Sequence, residues 1–172
     1  RTIIIELLKN IGKNQVAVIG DYLHDDRWFL VSSLINILSE IKSDEAVASL
    51  QKLVSNKNIK IRQEVIKGLL SIGGERAAVT LSMFFKDGDE TVQMAAIRGF
   101  GEIRGIKAAD TKPLITFLHG RSLNKKDLPL ILEAIKALEK KGGPAAVEVL
   151  NVYTSFRWWK SWSLQKELKT AA

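Results

Sequence analysis

Cysteine is absent from the 172 residues of this chain. That excludes a disulfide framework and any thiolate metal or redox centre. It fits a reducing compartment, and a cytoplasmic location is expected. There are only two histidines, His24 and His119, and two isolated imidazoles without a thiol do not make a zinc site. Each lies near the end of a helical stretch, where the backbone's partial negative charge favours a cation, so capping is their expected role. No apolar run approaches the ~20 residues needed to span a bilayer. The first residues, Arg1 to Glu6, show neither an initiator methionine nor the layout of a secretory signal. They enter in mid-pattern, which leads us to expect a piece of a longer protein. No Ser–His–Asp or Cys–His set can be assembled, and no glycine loop has phosphate-binding spacing. The chain is therefore expected to be no enzyme, with no cofactor and no bound metal.

The composition that remains is ordinary for a folded protein, at 46% hydrophobic and 26% charged. The net charge of +7 is unevenly spread. Residues 1–89 carry 12 Lys and Arg against 11 Asp and Glu, whereas residues 90–172 carry 14 against 8. A basic second half is compatible with an acidic partner or with nucleic acid, and equally with a surface kept soluble by charge.

The dominant feature is a repeat, centred on the stretch 59–74, IKIRQEVIKGLLSIGG. Leu34, Val65, Ala96 and Ala134 align at intervals of 31, 31 and 38 residues. Leu38, Leu69, Phe100 and Leu138 follow one turn later, and Ile41, Ile72, Ile103 and Lys141 close the series. Apolar residues at i, i+4 and i+7 make one helical stripe. Gly68, Gly99 and Ala137 lie beside it, where a neighbouring helix needs room. Asp or Asn precedes each stripe (Asp25-Asp26, Asn58, Asp89, Asp127) and is suited to accept the free N–H groups of a helix start. Gly73-Gly74, Gly105 and Gly142-Gly143 follow three of the stripes, where a left-handed cap ends a helix.

A second helical pattern separates successive stripes: Ala46, Leu50 and Leu53; Ala77, Leu81 and Phe84; Ala108, Leu114 and Leu118; Ala146, Leu150 and Tyr153. No stretch alternates with the period of a strand. The chain is expected to be all-α, with paired antiparallel helices repeated about four and a half times. The units are a partial repeat at 1–12, repeats at about 13–42, 43–73, 74–105 and 106–143, and a C-terminal partial repeat at 144–172, all in one domain.

The pattern D-x-x-[VI]-R-x-x-A/V-x-x-G/A-L-x-x-I-G resembles HEAT repeats, and the 31-residue spacing is similar to the short bacterial HEAT-like subtype named after phycobilin lyases. Ile61, Arg62, Val65, Gly68, Leu69, Ile72 and Gly73 carry the likeness in one unit, and Asp89, Val92, Ala96, Gly99, Phe100 and Ile103 in the next. The resemblance implies a right-handed α-solenoid whose concave face binds a protein partner. The arginine of the pattern is present only as Arg62, with Val31, Gln93 and Ile131 in its place elsewhere. An Arg–Asp ladder between repeats is accordingly not expected. Lyase activity and the base-excision activity of HEAT-like DNA glycosylases are further implications of the resemblance, without a residue set here to perform them.

Residues opposite the Leu69 stripe should face the concave side. One row is Asn36, Lys67, Arg98 and Lys136, one cation per repeat after the first. A neighbouring row contains Met94 and Leu132, and Phe29 lies at the exposed start of its helix. These seven residues form the candidate surface for a protein partner with an acidic segment. Nucleic-acid binding through the basic second half is the alternative. The aromatic stretches have two readings each. Trp28 and Phe29 either close the end of the core or anchor a partner, and the C-terminal run with Trp158 and Trp162 either caps the last repeat or forms a basic–aromatic surface.

Overall fold

The computed structural model describes residues 16–121, 125–143, 147 and 151, except the side chains of residues 108 and 109. The N-terminal partial repeat and, apart from residues 147 and 151, the C-terminal one, including the Trp158 and Trp162 run, lie outside the described residues. The described elements are all helical, and none is long and apolar enough to cross a membrane.

The helices alternate in length. Those built on the aligned stripes are α2 (Trp28–Ile41), α4 (Ile59–Ile72), α6 (Glu90–Glu102) and α8 (Leu128–Lys141). Shorter ones precede them: α1 (Val16–Asp21), α3 (Asp44–Gln51), α5 (Gly74–Met83) and α7 (Lys112–His119). Single turns of 3-10 helix extend α1 and α5, at Tyr22–His24 and Phe84–Lys86. Another, Ala108–Thr111, leads into α7 and takes up the irregular start of its unit. The long helices pack on one another in the order α2, α4, α6, α8, and the short helices form a second layer in the order α1, α3, α5, α7.

The core lies between the two layers. Ile35, Leu38, Leu69, Ala96, Phe100, Ala134 and Leu138 from the long helices meet Leu50, Leu81, Phe84, Leu114 and Leu118 from the short ones, all essentially inaccessible to water. One continuous cluster runs from Val16 to Leu138. Burying a leucine of this kind contributes about 1.5–3 kcal/mol, so the 31-residue apolar pattern is the energetic basis of the stack. Phe85 joins adjacent units, with its ring edge-on to Phe100 at 5.5 Å and to Phe117 at 5.7 Å.

Helix starts use the caps that the polar breaks suggested in two of four cases. Asn58 accepts from the Lys60 amide, and Asp89 accepts from the Thr91 and Val92 amides. At α2 the N-cap is Arg27, and at α8 the Asp127 side chain makes no cap bond. The glycine stops differ in detail from a left-handed cap. Gly73 and Gly142 have positive φ (74° and 67°) but an extended ψ, a combination essentially restricted to glycine. Ser43 caps α3 by accepting from the Ala46 amide.

Candidate interaction surface

The long helices direct one face into the core and the opposite face to solvent. Asn36, Lys67, Arg98 and Lys136 all lie on the exposed side, in the register expected. Phe29 is 59% exposed at the start of α2, with Trp28 beside it at 48%. Trp28 therefore does not close the core. Its ring lies under the Lys60 ammonium, 5.2 Å from ring centroid to Nζ, and so connects the starts of α2 and α4. Met94 is half-buried and packs against the core, and Leu132 is half-buried on α8. Of the seven candidate residues, Met94 has mainly a packing role and the other six offer side chains to solvent.

The electrostatics differ from a bare cationic ladder. The Lys67 ammonium is 2.8 Å from Glu64 one turn back on α4. The Arg98 guanidinium reaches from α6 to Glu133 on α8 at 2.7 Å, and this hydrogen bond raises the arginine pKa above its ordinary value. Lys140 on α8 returns the contact to Glu102 on α6 at 3.2 Å. Lys136 makes no ion pair among the described residues. The carboxylates interleaved with the row thus pair with it. The two cations Lys67 and Arg98 are exposed, at 70% and 58%, whereas their carboxylate partners Glu64 and Glu133 are only 26% and 16% accessible. The pairs hold the cations in place at the surface.

At the other end of this layer, near the helix starts, the polar contacts are tighter. Arg62 lies across Asp87 in a two-pronged contact, Nε to Oδ2 at 2.7 Å and Nη2 to Oδ1 at 2.8 Å. Only 12% and 6% of the two side chains are accessible. Arg62 also donates to the Asn56 carbonyl at 2.7 Å. One Arg–Asp rung is therefore present, at the one unit that keeps the arginine, and it is not repeated at Val31, Gln93 or Ile131. In the next unit Gln93 stands where Arg62 would recur. Its amide donates to the Asp87 carbonyl, and its oxygen accepts from Arg121 at 3.2 Å. Arg121 in turn pairs with Asp127 at 2.6 Å. A glutamine thus continues the chain of contacts across three units.

Among the described residues no group of three or more His, Asp or Glu is placed to hold a metal. His24 and His119 are both exposed, at the ends of the 3-10 turn after α1 and of α7.

The all-helical fold of the described residues agrees with what a comparison with protein families returns. The family of HEAT repeats matches residues 16–101. The chain belongs to the HEAT-repeat family. No curated protein matches the sequence. Within the aligned units the stripe residues Val65, Leu69, Ala96, Phe100, Ala134 and Leu138 are buried, and the candidate row Asn36, Lys67, Arg98 and Lys136 is exposed. Sequence reasoning missed Gln93 and Arg121 as structural residues. Gln93 departs from the family arginine, and Arg121 lies outside the aligned positions, so neither carried a signal.

Proposed function

We propose that this HEAT-repeat chain is a non-enzymatic scaffold that binds a protein partner, with an acidic segment of that partner lying across the exposed face of the long helices. On this reading that face is the inner, concave wall of a right-handed superhelix, and the protein is of the short-repeat bacterial subtype and cytoplasmic. The carrying observation is the alignment of Asn36, Lys67, Arg98 and Lys136 across four successive helices, all exposed. Evenly spaced side chains on packed helices make a rigid template, and a partner that fits it avoids the entropy of ordering a loop. Lys67 and Arg98 stay 70% and 58% accessible while paired, so a partner carboxylate can reach either cation without displacing Glu64 or Glu133.

The test uses the partner recovered by affinity purification with the full chain and its binding constant to the purified protein. Lys67→Glu, Arg98→Glu and Lys136→Glu together should weaken binding at least about tenfold, the loss of a few rim charges. Unchanged affinity would place the contact elsewhere. If instead the chain bound arbitrary duplex DNA with a steep log–log dependence on salt, the basic surface would be serving nucleic acid.

A further inference from the structure

A groove opens on the opposite side of the molecule, in the short-helix layer. It runs between α5, with its 3-10 extension, and α7, and has a volume of about 860 Å³. The equivalent trough between α3 and α5 has about 330 Å³. The two differ also in charge. The smaller trough is lined by Glu75 and by Arg76, which pairs with Asp44 at 3.1 Å. Among its described lining residues the larger groove has three cations, Lys86, Lys112 and Arg121, and no carboxylate.

Its construction is that of a peptide-binding trough. Phe85 and Phe117, packed edge to face, form the floor, and Met83 stands 47% exposed on one wall. Thr116 on α7 and Gly120 just after it are small and keep the opposite wall open. The Arg121 guanidinium lies over the Phe117 ring at 4.8 Å and is also held by Asp127, so the rim on that side is fixed in place. Lys86 and Lys112 are exposed and form no ion pair among the described residues. On the long-helix face, by contrast, Lys67 and Arg98 are already paired. A volume within the ~300–1,000 Å³ of ligand pockets, an apolar floor and unopposed lysines at the rim specify the occupant by charge and shape. We infer that this groove is a second docking site, which takes a short acidic segment of a partner protein with a bulky apolar side chain seated on Phe85 and Phe117 and its carboxylates on Lys86 and Lys112.

The site is separate from the long-helix face, and charge reversals on each face distinguish a failure of this inference from a failure of that reading. Phage-displayed short peptides rich in Asp, Glu, Leu and Phe are panned against the full chain, beside a matched library with Lys and Arg in place of the acidic residues. Binders should come from the acidic library alone, and the best of them is then synthesised and titrated. Lys86→Glu with Lys112→Glu should weaken it at least about tenfold. Thr116→Trp, at an exposed position, should block it by filling the groove. Lys67→Glu with Lys136→Glu should leave it unchanged, and circular dichroism confirms that each variant is folded. Should the tryptophan variant fail to fold, the double charge reversal decides alone. The inference is overturned if no acidic peptide is selected, if the groove variants bind as the parent does, or if a mixed-sequence oligonucleotide displaces the peptide at physiological salt.

Discussion

Lys42 ends α2 in the left-handed region, with φ 54° and ψ 42°, and is the one non-glycine residue with positive φ among the described residues. Gly73 and Gly142 occupy the corresponding stops of α4 and α8. A side chain in that conformation costs roughly 1–2 kcal/mol. Glycine would remove the strain but would cost about 0.5–1 kcal/mol through the greater freedom of the unfolded chain. Strain relief is the larger effect. Lys42→Gly is expected to raise stability by about 0.5–1 kcal/mol, seen as a higher urea midpoint with an unchanged slope. An unchanged or lower midpoint would mean that the exposed lysine makes a compensating interaction. Lys42 was visible in the sequence as the missing glycine of its unit. Gln93 was visible only as a missing arginine, because its role depends on Asp87 and on Arg121, which three-dimensional packing brings to it.

At the scale of elements, helix spacing is set by residues without side chains. A Cβ on Gly101 would lie 2.9 Å from the Cα of Ala137, so α6 and α8 are in backbone contact there. A Cβ on Gly68 would meet the Ser39 hydroxyl at 2.5 Å, where that buried hydroxyl donates to the Ile35 carbonyl. The two sites differ in what must yield. At Gly68 the obstacle is a side chain, and at Gly101 it is a helix axis. Gly101→Ala should therefore cost at the upper end of the ~1–3 kcal/mol of overpacking, measured by chemical denaturation. It should also break the contacts that cross from α6 to α8, Arg98 to Glu133 and Lys140 to Glu102. A cost below about 0.5 kcal/mol would show that the pair of helices slides apart freely. The apolar stripes and the small residues beside them were legible because burial repeats with the helical period. The groove was not, since it arises from the placement of α7 after an irregular 3-10 turn, and spacing within a helix says nothing of the gap between helices.

For the whole molecule the consequence is uneven stability. In a stack each unit contacts only its neighbours, so local opening reflects how well a helix is covered by the units on either side. The long helices α4 and α6 are packed between other long helices and contribute Val65, Leu69, Ala96, Ile97 and Phe100, all at 0–1% exposure. α7 has a long partner in α8 but faces α5 across the open groove, over which Phe117 is 9% exposed. Native-state hydrogen exchange should thus show α4 and α6 amides exchanging only through global unfolding. The α7 amides should exchange at a lower free energy, and an acidic peptide seated in the groove should raise their protection while leaving α4 and α6 as they were. Uniform protection of all three helices would mean that the layers open as one unit, with the groove no weaker than the rest of the stack. The open side of the short-helix layer is then the part of the described fold expected to open first, and its exposed lysines Lys86 and Lys112 make no ion pair among the described residues.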